Sequence, residues 1–302
     1  MKRFDETFAP LLGNEGLKTR LAAEFEQNAI PHACLITGDD GCGRNLAATL
    51  LAAAYLQDAH DLVRRGEHPD CIELRGEGAA GQIPVDRVRE TLYELSKAAV
   101  TADGRRAAIL RDTASLNRNS ANALLKGLEA PPQGVIFILT AQSERDVLET
   151  IRSRCVRYGV LPLSADACRA AARTLYPTFD AQRLDTLCRL YGGRLGLLKR
   201  ALSSPDRLAL CDVARRVYAA AKKNDRLEML AALDAVGDRV SLQAVMFDVT
   251  MCARADVLED PSVAAFADRL TGDAAQCAAD ADRNINIKLL CTRFAAQRNG
   301  ER

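Results

Sequence analysis

The stretch Cys34 Leu35 Ile36 Thr37 Gly38 Asp39 Asp40 Gly41 Cys42 Gly43 Arg44 Asn45 decides the fold. An apolar run ending in glycine, a short glycine-rich loop and an alanine- and leucine-rich segment predict a strand, a phosphate-type loop and a helix, in that order. Gly38 and Gly43 stand where the pattern G-x-x-x-x-G-K-[ST] has its glycines, but Arg44 replaces the lysine and Asn45 the hydroxyl residue. In that pattern the lysine reaches the β and γ phosphates, the hydroxyl ligates magnesium, and backbone N–H groups at the helix start hold phosphate oxygens. Arginine is a bulkier fork than lysine, and asparagine offers an amide where a hydroxyl is needed. The cradle of Gly38, Gly41, Gly43, Arg44 and Asn45 is therefore expected to be a vestige that binds ATP weakly or not at all.

Outward from this stretch, short apolar runs alternate with amphipathic segments up to about residue 161, the signature of a parallel sheet with crossover helices. The runs predict strands over Ala33–Thr37, Cys71–Leu74, Arg106–Leu110, residues 135–140 and residues 156–160. Helices are expected from Gly43 to about Ala59, over residues 85–99 with Val85, Val88, Leu92 and Leu95 on one face, and over residues 121–128, ending before Pro131 and Pro132. The glycine-rich stretch 76–81 reads as a surface connection. After Leu163 the strand pattern stops. Residues 164–176, 181–191 and 194–203 predict three helices, broken at Gly192 and Gly193 and bounded by Ser203 Ser204 Pro205. Further apolar residues at helical spacing (Met229, Leu230, Leu233, Val236; Leu242, Val245, Met246, Val249; Ile287, Leu290, Phe294) predict a second helical group to the end of the chain.

A nucleoside triphosphatase needs acids after a second strand, one to orient magnesium and one to polarise water. Here Ala107 Ala108 Ile109 Leu110 runs into Arg111 Asp112, so a cation stands in the metal-orienting position and only Asp112 remains as an acid. Two independent parts of one site depart together.

The chain has 302 residues, 48% of them apolar, enough for two or three ordinary cores. Its 41 basic and 40 acidic residues give a net charge of +1, unlike a dedicated nucleic-acid binder. No run approaches the roughly 18 apolar residues of a membrane span, and acids at Asp5 and Glu6 stand where a signal peptide has its apolar segment; the expectation is a cytoplasmic protein with no membrane association. The ten cysteines include no C-x-x-C pair, so they read as reduced, mostly buried residues and not as metal ligands. His32 and His68 lack close acidic or thiol neighbours and read as structural.

Two further segments resemble a known family. Ala121 Asn122 Ala123 Leu124 Leu125 Lys126 Gly127 Leu128 Glu129 Ala130 Pro131 Pro132 is similar to the N-A-L-L-K-x-L-E-E-P-P of bacterial clamp-loader proteins, and Thr150 Ile151 Arg152 Ser153 Arg154 Cys155 to their T-I-x-S-R-C. Leu12 Gly13 Asn14, His32 Ala33, His68 Pro69 Asp70 and the closing Asn284 Ile285 Asn286 Ile287 Lys288 Leu289 Leu290 recur in the same order in that family. The resemblance runs from about Phe8 to about Phe294. It implies an α/β AAA+ P-loop core with a parallel sheet (1–161), a small helical lid (162–205) and an all-helical collar through which subunits associate (206–302).

S-R-C beside a damaged nucleotide site resembles the delta-prime branch of the family. That resemblance implies a non-hydrolysing member of the DNA polymerase III holoenzyme, without ATPase activity of its own. Its partners would be a gamma/tau-type motor subunit and a delta subunit in a hetero-oligomeric ring, with the sliding clamp and primer-template DNA engaged through the assembled ring. An arginine offered in trans to a neighbour's γ-phosphate offsets charge that develops during transfer; Arg154, with Ser153 and Cys155 completing the motif, would be that finger. A divergent ATPase motor of clamp-loader or recombination type, relying on Arg44 and Asp112, is the alternative. Relatives often carry a four-cysteine zinc module before H-P-D, but residues 50–67 contain no cysteine, so no zinc is expected. The segment 192–198 is similar to the family's G-x-L-R-x-A-L sensor, with Gly196 in the arginine position; Arg194 could substitute only if the helix were rotated. Of the first-sensor segment Thr140 Ala141 Gln142, the sequence does not single out the residue that faces a phosphate.

Overall fold

The computed structural model describes residues 2–57, 60–77, 81–283 and 285–296; residues 78–80 of the glycine-rich stretch and Asn284 of the closing motif lie outside them. The chain divides into two compact units, one of residues 1–167 with 194–196, the other of residues 168–193 with 197–302.

In the first unit the order is α1 (Lys2–Phe8), α2 (Glu15–Glu26), β1 (Ala33–Thr37), α3 (Arg44–Tyr55), α4 (His60–Arg65), β2 (Cys71–Leu74), α5 (Val85–Leu95), β3 (Arg106–Leu110), α6 (Arg118–Glu129), β4 (Val135–Ala141), α7 (Glu149–Arg152) and β5 (Val156–Gly159). The strands pair in parallel in the order β2-β3-β4-β1-β5. Successive side chains of a strand point to opposite faces, and the central strands are apolar on both because helices cover both. Cys34 and Ile36 of β1 enter one layer with Leu50 and Leu51 of α3, Phe8 and Leu21. Ala33 and Leu35 enter the other, with Val88 and Leu95 of α5 and Leu124 and Leu128 of α6. Each such leucine contributes about 1.5–3 kcal/mol by leaving water.

Helix ends follow local chemistry. α3 stops at Tyr55, and Gln57 takes a left-handed φ of 54°, so the helix is shorter than the sequence pattern predicts. α6 starts three residues before the predicted point, because the Asn117 side chain accepts from the Ser120 N–H at 2.9 Å and caps it. The H-P-D segment is structural: fully buried Asp70 accepts from the Val100 and Thr101 N–H groups at 2.9 and 2.8 Å and lies 3.4 Å from Arg106. Burial would raise its pKa, but these bonds outweigh burial and hold it below the usual carboxylate range.

From residue 165 the chain is helical: α8 (Ala165–Leu175), α9 (Ala181–Tyr191), α10 (Leu195–Ala201), α11 (Pro205–Lys222), α12 (Arg226–Leu233), α13 (Arg239–Glu259), α14 (Ala264–Ala281) and α15 (Ile287–Ala296). In the second unit α13 is the central element, packed on α9, α11 and α14. Its fully buried Asp248 accepts from Tyr191 Oη at 3.0 Å and from Arg207 at 2.6 Å, so this buried acid is paired, as burial requires. Among the described residues no helix is long and apolar enough to cross a membrane. All ten cysteines are free thiols, seven of them buried.

Candidate functional site

The loop from Gly38 to Gly43 joins β1 to α3. Gly43 has φ 101° and no side chain caps α3, so the first N–H groups of the helix keep the outward geometry that suits an anion. The side chains around it are committed elsewhere. Arg44, 8% exposed, turns back to donate to the Gly38 carbonyl at 3.0 Å, and its buried Nε has no hydrogen-bond partner. The Asn45 side-chain oxygen accepts from Thr140 Oγ1 at 3.2 Å, and Thr140 Oγ1 accepts from the Asp112 N–H at 3.0 Å. Thr140 is fully buried, whereas Gln142 is exposed; of the segment 140–142 it is Thr140 that faces Asn45.

Arg111, directly after β3, joins three elements. It donates to both carboxylate oxygens of Glu73 on β2 (2.8 and 3.2 Å), to Thr49 Oγ1 on α3 (2.7 Å) and to the Asn45 carbonyl (2.5 Å). Burial would raise the Glu73 pKa, but the Arg111 and Arg75 hydrogen bonds outweigh it and hold the carboxyl below its usual range. A cavity of about 570 Å³ opens here over the carboxyl ends of β2 and β3, lined among others by Asn45, Thr49, Arg64, Arg75, Arg111 and Asp112. Magnesium takes a near-octahedral set of oxygens. A fixed guanidinium stands in the metal-orienting position and holds the oxygens of Glu73, Thr49 and Asn45, so these residues do not fit the ion.

Residues 194–196, part of the same unit, reach the loop tip. The Gly196 N–H donates to the Gly41 carbonyl at 2.9 Å, and a Cβ at position 196 would lie 2.9 Å from the Gly41 Cα. An arginine at 196 would therefore displace the loop. Arg194, 6% exposed, lies 3.7 Å from the Asp39 carboxylate.

On a different edge of the unit, α7 ends at Arg152 and the turn Ser153–Arg154–Cys155 leads into β5. The Arg154 side chain is 35% exposed and is held from two sides: Nη1 donates to the Thr150 carbonyl at 2.8 Å and Nη2 to Glu129 Oε1 at 2.6 Å. Ser153 Oγ donates to the Thr150 carbonyl at 3.3 Å. Cys155 is half-buried against the layer that contains Leu124 and Ile151, and desolvation pushes its thiol up to about 12, which leaves almost no thiolate at neutral pH. His32 Nε2 lies 3.1 Å from the Leu128 carbonyl, and buried His68 accepts from the Asp70 N–H through Nδ1 at 3.1 Å. Both histidines are spent on backbone.

Sequence reasoning missed Glu73, Thr49 and Glu129 as members of these arrangements. A signal existed for Glu73, since an acid inside a short strand next to a buried sheet calls for a cross-strand cation. Thr49 lies inside a helix, where its hydroxyl gives no such sign.

A five-stranded parallel sheet in the order β2-β3-β4-β1-β5, with a phosphate-type loop leading from β1 into α3, defines an α/β core of the AAA+ P-loop class. The chain belongs to the family described as DNA polymerase III, delta subunit, which it matches over residues 13–164. This is the clamp-loader AAA+ family that its motifs resemble. Among curated relatives, DNA polymerase III subunit delta' of Pseudomonas aeruginosa is 34% identical over 175 residues, covering 54% of this chain and 53% of that protein. Subunit tau of Escherichia coli is 27% identical over 257 residues, covering 78% of this chain and 39% of that protein. The chain thus spans about half the length, or less, of these curated relatives. A solved gamma subunit-related protein of DNA polymerase III from Thermotoga maritima superposes with a TM-score of 0.50 at 19% identity, covering 88% of this chain and 93% of that one.

Proposed function

We propose that the chain is a non-hydrolysing subunit of the DNA polymerase III clamp loader, of the delta-prime type, and that it supplies Arg154 in trans to the ATP of an adjacent motor subunit. The observation that carries this reading is Arg111: the metal-orienting position holds a cation that is bonded to Glu73, Thr49 and Asn45. Arg44 adds to it by spending its guanidinium on its own loop. With a guanidinium where the magnesium-orienting acid would stand and Arg44 turned onto its own loop, catalysis by this chain has no starting point. The exposed Arg154 edge then serves a neighbour.

In this reading the core, lid and collar are residues 1–161, 162–205 and 206–302. A gamma/tau-type motor and a delta subunit are the neighbours in a cytoplasmic hetero-oligomer, and the clamp and primer-template DNA are engaged by the whole ring, DNA mainly through its phosphates. Neither ATP nor zinc is a resident cofactor.

The test is the DNA- and clamp-stimulated ATPase rate of the reconstituted loader, comparing wild type with Arg154→Ala after equal assembly is confirmed. A slow mutant loader is expected. An unchanged rate removes the finger, and magnesium-dependent ATP turnover by the isolated chain, abolished by Asp112→Ala, would establish the motor reading instead.

A further inference from the structure

We propose that Glu129 is a positioning residue for Arg154, fixing its guanidinium in the orientation from which it meets the γ-phosphate bound by the adjacent subunit. This rests on the reading of Arg154 as a finger in trans. Glu129 is the last residue of α6, whose neighbouring Leu128 is buried in the core at 1% exposure. Thr150 lies in α7. The guanidinium is therefore clamped between α6 and α7, which pack on each other and share one core layer, through Glu129 at 2.6 Å and the Thr150 carbonyl at 2.8 Å.

Two effects follow. An arginine on an exposed turn otherwise samples many rotamers, and fixing it beforehand removes that entropy cost from the step in which the phosphate is met. A guanidinium also has five N–H donors in a fixed fork; the Thr150 carbonyl and Ser153 Oγ take the two of Nη1 and Glu129 takes one of Nη2, and the Nε–H and the second Nη2 N–H remain for phosphate oxygens. The pair does not trap the arginine. An ion pair open to water is weak, and a phosphate bound by the same fork makes stronger, bidentate, charge-assisted bonds. Glu129 thus guides the side chain without competing for it.

The experiment uses the reconstituted loader with wild-type, Glu129→Ala, Glu129→Gln, Arg154→Ala and the Glu129→Ala/Arg154→Ala chain. Glu129→Ala is expected to lower the stimulated kcat about three- to tenfold, with KM for ATP and assembly unmoved. Glu129→Gln, whose amide oxygen accepts the same N–H, should recover most of that rate. The double variant should be no slower than Arg154→Ala alone. Wild-type or faster turnover by Glu129→Ala beside a slow Arg154→Ala overturns the positioning role and leaves the finger standing. An equal loss from Glu129→Ala in both backgrounds also overturns it, because Glu129 would then act elsewhere. A normal rate for Arg154→Ala removes the finger itself, and this inference with it.

Discussion

Arginine does opposite work in two regions of the first unit. Around the β1–α3 loop, Arg44 is 8% exposed and the Arg111 side chain 12%; Arg111 spends its donors on the chain itself, and Arg44 turns back onto its own loop. In the S-R-C turn, Arg154 is 35% exposed and is held through its terminal nitrogens with donors to spare. The difference teaches that a cation's role is set by what already surrounds it. A guanidinium with filled donors is a structural cross-link, whereas one with open donors on a rigid edge is a contact waiting for an anion.

The comparison can be broken by substitution. The largest expected effect is on Arg154→Ala, which should slow ATP turnover at the neighbouring site by about a thousandfold while changing folding stability by less than about 1 kcal/mol. Arg111→Ala should invert that pattern. Losing its hydrogen bonds to Glu73, Thr49 and Asn45 is expected to cost about 2–3 kcal/mol, read as a lower urea midpoint of the isolated chain. A large stability loss from Arg154→Ala, or none from Arg111→Ala, would erase the distinction.

A smaller effect concerns acid. The folded pKa of Glu73 lies below its unfolded value, so its stabilising contribution is full above about pH 4.3 and is lost as pH falls through the folded pKa. Urea melts between about pH 6 and pH 3 should show this loss in the wild type and less of it in Arg111→Ala, where the carboxyl returns toward its ordinary value. The smallest expected signal is chemical. With its thiol pushed up to about 12, Cys155 in the folded chain should resist iodoacetamide at neutral pH and react only after unfolding, as peptide mass spectrometry would report.

Much of the core was legible from the sequence. Ala33–Thr37, Cys71–Leu74 and Arg106–Leu110 fall where the apolar runs place them, because strands covered by helices on both faces leave unbroken apolar segments. Helix ends were less legible. Nothing in Ala52 Ala53 Ala54 Tyr55 Leu56 Gln57 signals a stop, and the left-handed Gln57 is a property of the fold. The departures of Arg44, Asn45 and Arg111 from a working site were plain. What those residues do instead was not, since Arg111 meets partners 38, 62 and 66 positions away. Glu129 and Arg154 are 25 positions apart and were read as separate motifs; only the packing of α6 beside α7 makes them one object.

The bonds of Arg111 have a consequence for timing. A metal ion arrives with its nucleotide and departs with the product, so whatever it organises is rebuilt in every cycle. A guanidinium tethered through its own backbone has an effective concentration that no dilution, dialysis or chelator lowers. In the proposed assembly the junction of β2, β3 and α3 would therefore keep the same bonds before, during and after a neighbour's turnover, and it would carry no memory of where in that cycle the neighbour stands.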